Sequence, residues 1–412
     1  MKVLVSAYAC EPGKGSEPEV GWQWVNQIAR FHETWVITRT NNREAIEKAL
    51  AKSPINNLYF IYYDLPDWAR FWKKGNRGVH LYHQLWQYKI LRIALKLHQE
   101  HKFDICHHIT FGVVWHPSFF YKLPATKIIW GPFGGGEVAY KTCVNNFSLR
   151  GKIIEFFRKI MSLYYFRFDP FVQKNFKKAS LLLTRTDMTA QRIPPKYLSK
   201  TKVFLETGFT GIPEFEHDVP AERKNIFTMS RLIPLKNIET AILAMRIVVN
   251  KLPAAKLHIY GDGPLMEALK ELSKSLALND NVFFYGNVEH KKLTDIVKTM
   301  DILLHPSVRE GGSHAIMEAM ANGIPVVCLD NAGPGYMVDS SSGIKIQGKS
   351  KDEIVQKIAD AAIELLTNEV LYDTLSKGAR SRVDNIFLWD KIGDRLNALY
   401  QEVYEEAKAT KK

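Results

Sequence analysis

Glu310 and Glu318, with seven residues between them in Val-Arg-Glu310-Gly-Gly-Ser-His-Ala-Ile-Met-Glu318-Ala-Met, set one carboxylate on each side of a glycine-rich turn. Such a pair suits a sugar joined to a phosphate. Glycines let a backbone come close to a ligand, and the free N–H groups at the start of a helix attract an anion. A phosphate held by Gly311, Gly312 and Ser313 would leave Glu318, about a turn and a half into the helix, facing a ribose, while Glu310 would face the sugar beyond it. The alternative is two solvated carboxylates flanking an ordinary turn. Spacing alone does not separate the two readings.

The elements that must hold the pair are legible in the flanking residues. Asp301-Ile-Leu-Leu-His-Pro306 predicts a short buried strand, and Ser313 to Asn322 a helix capped by Ser313 and closed by Gly323. Upstream, Ile226-Phe-Thr-Met-Ser-Arg231-Leu-Ile-Pro-Leu-Lys236-Asn begins as a strand and leads into the apolar-periodic run Ile238 to Val249. Arg231 and Lys236 therefore fall in a strand-to-helix loop, on the same face of a parallel sheet as Glu310. Two cations there match what a departing diphosphate needs, because negative charge grows on the leaving group as its bond to the sugar breaks. Leu257-His-Ile-Tyr-Gly261-Asp-Gly263-Pro264 is a further strand ending in a glycine turn, followed by Val282-Phe-Phe-Tyr-Gly286-Asn-Val288.

In this order the segments resemble the C-terminal half of the retaining glycosyltransferases of family 4 (group 1), which have the GT-B fold. Arg231 and Lys236, Gly261 to Pro264, the two glutamates and Gly323-Ile-Pro-Val-Val327 carry the resemblance. It extends upstream through the first strand Met1-Lys-Val-Leu-Val-Ser-Ala-Tyr-Ala. The loop Glu11-Pro-Gly-Lys-Gly15-Ser16-Glu-Pro-Glu-Val-Gly-Trp22 corresponds to the family's N-terminal glycine-rich loop, and Trp130-Gly-Pro-Phe-Gly-Gly-Gly-Glu137 resembles a segment of one branch. The resemblance implies an α/β chain of two Rossmann-like doubly wound domains facing a central cleft. It also implies transfer of a sugar from a UDP- or GDP-sugar to a glycan or lipid-linked hydroxyl, with retention and without a metal or other cofactor. Glu310, His108, Arg231 and Lys236 are then the catalytic candidates. Gly15, Ser16, Gly261, Gly263, Val288, Gly311, Gly312, Ser313 and Glu318 are the donor-binding ones. Of two departures from the commoner pattern, Ser230 before Arg231 keeps a small residue at the phosphate site, and Gly312 with His314 after Glu310 bears on sugar selectivity.

Organisation follows from strands and breakers. Strand-like runs at 3–8, 34–39, 58–63, 104–109, 126–130 and 180–184 predict an acceptor-side domain over 1–212. A linker from Glu206 to Pro220 leads to a nucleotide-sugar domain over 213–385, and a last helix within 386–412 is expected to return to the first domain. A length of 412 residues, 46% of them apolar, can supply two cores. Cys10, Cys106, Cys143 and Cys328 lie far apart, which argues against a zinc site or disulfide framework and suits a reducing cytoplasm. No signal peptide and no run long enough to span a bilayer is expected.

The net charge of +13 comes almost wholly from two segments. Residues 68–102 hold eight Lys/Arg against one acid and residues 141–178 hold nine against two, which leaves the rest nearly neutral. Both are rich in aromatics, a combination suited to an anionic membrane surface on the inner face of the membrane. A packed aromatic core under a solvated basic face is the other reading. Nucleic acid is not expected as a partner, because no recognition motif accompanies the charge.

Histidines supply the remaining candidates. In Asp104-Ile-Cys-His107-His108-Ile a strand ends, so one imidazole points toward the cleft and its neighbour away, with the choice open. His116 and Glu137 are further sugar-side or acceptor-side candidates. Two other functions use the same residues: a nucleotide-sugar-binding partner without turnover, and a GT-B epimerase acting on a sugar nucleotide.

Overall fold

In the computed structural model the described residues are 1–409 other than 74, 76, 145–146 and 213–221, with backbone only at 290, 291 and 407–409. They form two compact units. Unit 1 comprises Met1–Gly136, Ile160–Glu206 and Trp389–Lys412, and unit 2 comprises Glu137–Lys159 and Thr207–Leu388. The division differs from the expected cut at 212: it falls at 206/207, and 137–159 belong with unit 2. The later part of the expected linker lies outside the described residues.

Unit 1 is a parallel sheet of β1 (Lys2–Ser6), β2 (Glu33–Thr38), β3 (Leu58–Tyr62), β4 (Ile105–His108), β5 (Lys127–Phe133), β6 (Leu181–Thr184) and β7 (Thr201–Val203), in the order β3-β2-β1-β4-β5-β6-β7. Unit 2 repeats the plan with β8 (Asn225–Met229), β9 (Lys256–Tyr260), β10 (Val282–Gly286), β11 (Ile302–His305), β12 (Val326–Leu329) and β13 (Gly343–Ile346), in the order β10-β9-β8-β11-β12-β13. Helices cover both faces of such sheets, so central strands read as unbroken apolar runs. Val-Val-Cys-Leu in β12 and Ile-Leu-Leu-His in β11 are buried throughout. Both sheets are doubly wound, and the strand order reverses between β1 and β4 and between β8 and β11. Ligands bind such sheets beyond the carboxyl ends of the strands at that reversal.

Two edge strands escaped the sequence reading. β7 is three half-buried residues, and β13 is the short alternating run Gly-Ile-Lys-Ile. The helix Trp389–Ala409 belongs to unit 1. Its Trp389, Ile392, Leu396, Tyr400 and Val403 join Trp24, Val25 and Ile28 of the helix Ser16–Ala29 in one buried cluster.

Candidate functional site

At the reversal of the second sheet, β8 runs out into Ser230 and Arg231, and β11 runs out into Pro306 to Glu310. Lys236 lies in the turn between β8 and the helix Ile238–Lys251. This turn brings its ammonium to Glu310, with Nζ 2.6 Å from Oε1. The other carboxylate oxygen lies 2.7 Å from Nε2 of His305, the last residue of β11. Burial alone would raise the Glu310 pKa, but the His305 and Lys236 charges and hydrogen bonds outweigh it and bring the group down to about 2. His305 was not singled out from sequence. Its signal was the alternation of the strand, which puts it two residues after Leu303 at the strand's carboxyl end.

The depressed pKa makes this cluster a pH-dependent stabiliser. Its contribution is complete above the ordinary carboxylate value of 4.5 and is lost as pH falls through about 2. Wild type and Glu310→Gln should therefore differ in melting temperature at neutral pH and converge as pH is lowered toward about 2. Thermal denaturation across this window checks it; a gap constant with pH would mean that Glu310 is not held ionised.

At the carboxyl end of β8, the strand paired with β11, a pocket of about 290 Å³ is lined by Arg231, Gly261, Val288 and Glu318, together with Ser230 and Asn287. Three of these, Gly261, Val288 and Glu318, are expected donor-binding residues and Arg231 is an expected catalytic one, gathered from four separate segments. Met229, Tyr260, Leu293 and Ala315 complete the wall and were not foreseen. Tyr260 stacks on Tyr285 with centroids 4.8 Å apart and planes 15° from parallel, giving the pocket an aromatic side. Among the described residues no group of three or more His, Cys, Asp or Glu side chains is arranged to hold a metal.

The glycine turn also has a packing role. A Cβ on Gly261, at φ +124°, would meet the Ser230 carbonyl oxygen at 1.9 Å, and one on Gly263 would meet that of Leu232 at 2.5 Å. The turn is thus glycine-rich because it packs on the backbone of the β8 loop. Gly263 does not line the pocket, and neither do Gly311, Gly312 or Ser313. Neither Gly311 nor Gly312 has positive φ. Their turn leans instead on the helix Ala332–Met337, where Gly333 N–H donates to the Glu310 carbonyl at 2.9 Å. The helix after the turn is His314–Ala321. Ser313 precedes it but makes no capping hydrogen bond with its side chain, and its N–H lies 3.3 Å from the Met337 sulfur.

In unit 1 the two adjacent histidines separate clearly. His107 Nε2 lies 2.7 Å from the Gly131 carbonyl, which can only accept, so that nitrogen carries the hydrogen. Nδ1 then accepts from the Tyr400 hydroxyl at 2.7 Å. Burial holds the ring neutral, with its pKa lowered to about 3. His107 is a satisfied core residue, which removes it from the sugar-side candidates. His108 faces the other side of the sheet. Its Nδ1 accepts from the Gln87 amide at 3.1 Å, with the Ser6 hydroxyl at 3.2 Å, so Nε2 carries the hydrogen, and it is buried without a hydrogen-bond partner. His116 is buried and bonded through Nε2 to His80 Nδ1 at 2.8 Å. Gly15 and Ser16, at φ 69° and 52°, open the helix Ser16–Ala29 without a capping side chain. Glu17 and Glu19 already occupy its first turn, accepting from the N–H groups of Phe111 and Gly13 at 2.6 Å each. Glu137, in unit 2, is buried, and its charge acts on nearby Arg158.

Residues 213–382, which hold the pocket and the Lys236–Glu310 pair, match the model of glycosyl transferases group 1. Over this stretch, which is less than half of the chain, the sequence is similar to group 1 glycosyltransferases. A GDP-mannose-dependent monoacylated alpha-(1-6)-phosphatidylinositol monomannoside mannosyltransferase of Corynebacterium glutamicum is 28% identical over 179 residues, which are 42% of this chain and 45% of that protein. The putative colanic acid biosynthesis glycosyltransferase WcaL of Escherichia coli is 28% identical over 270 residues, 61% of this chain and 65% of that one. The chain thus spans a little under half the length of the first of these relatives and about two thirds of the second. Anabaena Alr3699/HepE, solved in complex with UDP and glucose, superposes with a TM-score of 0.57 at 16% identity, covering 98% of this chain and 100% of that one. The two units have the GT-B fold. Each is a doubly wound sheet, as expected from the motifs.

Proposed function

We propose that the protein moves a glycosyl group from a nucleoside diphosphate sugar to a hydroxyl of a glycan or lipid-linked acceptor, in the synthesis of a cell-surface polysaccharide or glycolipid. The observation that carries this reading is an aromatic-walled pocket bearing Arg231 and Glu318 at the carboxyl end of β8, the strand paired with β11, whose last residue His305 belongs to the Lys236–Glu310–His305 cluster. The base would lie against Tyr260 and the backbone around Gly261 and Val288, with the ribose hydroxyls accepted by Glu318. Relatives named for GDP-mannose and a neighbour solved with UDP support the class of donor and leave the base open.

Arg231 and Lys236 would receive the charge that develops on the diphosphate, a task often given to a metal, and we read the reaction as metal-independent on that ground. As the diphosphate engages Lys236, Glu310 loses one of its two partners, keeps His305 and is left as a carboxylate beside the sugar. There it can hold a hydroxyl and balance positive charge at the anomeric carbon. We read the transfer as retaining. His108, with a buried N–H to offer, is the better sugar or acceptor contact of the two adjacent histidines. The protein is read as cytoplasmic. Among the described residues no helix is long and apolar enough to cross a membrane.

Thermal-shift screening against UDP- and GDP-sugars tests the donor, since a ligand at a hundred times its Kd stabilises by about 2.7 kcal/mol. Failure of every nucleotide sugar to stabilise the fold would sink the reading. With the donor found, transfer should persist in excess EDTA, and an activity abolished by the chelator and restored by a divalent cation would remove metal independence. Tight donor binding without any turnover would leave a binding protein in place of a transferase.

A further inference from the structure

The helix Leu149–Arg167 is turned inside out. Soluble helices bury an apolar stripe and expose a polar one. Here Glu155, Arg158, Ser162 and Phe166 form the inward stripe. Glu155 pairs with Arg309, Arg158 lies near Glu137, and Ser162 donates to the Gly135 carbonyl at 2.8 Å, so only Phe166 of the four enters an apolar core. On the opposite side Ile153, Phe156, Phe157, Ile160, Leu163 and Tyr164 are exposed, Phe156 to 61% and Phe157 to 59%. Polar ties thus fix which side faces in and present the apolar side outward.

The charge around this face has one sign. Arg150, Lys152, Lys159 and Arg167 are all exposed. Both acids of the segment are engaged elsewhere, Glu155 with Arg309 and Asp169 in capping the helix Pro170–Lys178. Exposed Phe168 and Phe171 continue the surface past the helix end. Phe171 packs on Phe119 with centroids 5.8 Å apart, and Phe119 packs on exposed Tyr88 at 6.0 Å. Lys122 lies over the rings of Phe119 and Tyr88. Leu81, Leu85 and Tyr88 form one exposed stripe of the helix Val79–His101.

We infer that this apolar and basic face is a docking surface for an anionic lipid bilayer, with the helix Leu149–Arg167 lying in the plane of the headgroups. A helix of 19 residues is about 28 Å long, enough for its aromatics to enter the acyl boundary along one line while Lys and Arg remain among the headgroups. A second copy of the chain fits less well, because a self-complementary contact would set basic residues against their own kind. The surface narrows the two basic segments to one helix and the stripe beside it. Its purpose rests on the proposed lipid-linked acceptor; its geometry does not.

Cosedimentation with vesicles tests the inference. Wild type is expected to sediment with vesicles of phosphatidylcholine mixed with phosphatidylglycerol and much less with phosphatidylcholine alone. Each lost basic contact is worth about 1 kcal/mol near such a surface, so Lys152→Glu with Lys159→Glu should lower the partition coefficient at least ~10-fold. Phe156→Glu with Phe157→Glu should lower it similarly, and the melting temperature of both variants should stay at the wild-type value. Equal binding to neutral vesicles, or binding unaffected by both pairs of substitutions, would overturn it. So would a stable dimer that ignores vesicles and dissociates in the phenylalanine variant. Donor stabilisation measured on the same proteins separates the two ideas: vesicle binding without donor binding leaves the surface standing and removes the transferase.

Discussion

Lys236→Ala should lower the rate of glycosyl transfer about 10²- to 10³-fold while the protein stays folded. The size follows from the loss of one well-placed positive donor to a leaving group whose charge grows in the transition state. The fold should hold because Glu310 keeps its bond to His305 at 2.7 Å when the lysine is gone. The expected signature is a fall in kcat with a smaller change in donor KM, since the diphosphate is more negative in the transition state than in the bound donor. Single-turnover assays with circular dichroism on the same sample would check it. A variant with unchanged turnover would remove Lys236 from the reaction.

Glu318→Ala should show the opposite division. Glu318 lines the pocket from the helix His314–Ala321. A hydrogen bond to a charged group is worth about 1.5–3 kcal/mol, which corresponds to a rise in donor KM of roughly 10- to 100-fold. The loss should be felt equally in ground and transition states, leaving kcat little changed. Calorimetric titration of donor and of free nucleotide should show the same loss for both, because the ribose is common to them. If affinity for free nucleotide were untouched, Glu318 would have to be reassigned to the sugar.

The central strands and the carriers of the motifs were legible because parallel strands buried on both faces leave short apolar runs, and the loops beyond them are marked by glycine, proline and charge. Arg231, Gly261, Val288 and Glu318 could be found this way. Side-chain pairing was not legible. Nothing in the spacing says that Lys236 reaches Glu310, or that His305 completes the cluster. Tyr260 was hidden because a tyrosine ending a strand reads as core until the sheet shows which side is open. One glycine misled for a related reason: a glycine needed for packing backbone on backbone, as at Gly263, looks the same in sequence as one needed for a ligand. The paired histidines at 107 and 108 were undecidable until Tyr400, nearly three hundred residues away, supplied a hydroxyl to one of them. The basic segments were visible as composition, but composition could not reveal that a helix within them wears its polar side inward.

The return of the helix Trp389–Ala409 to unit 1 has a consequence for how the chain is made. The cluster around Trp24 and Ile28 stays incomplete until Tyr400 and its neighbours are available to fill it. Synthesis proceeds from the N-terminus, and domains commonly fold in that order. Here the earlier unit cannot complete this cluster until the later unit has been synthesised.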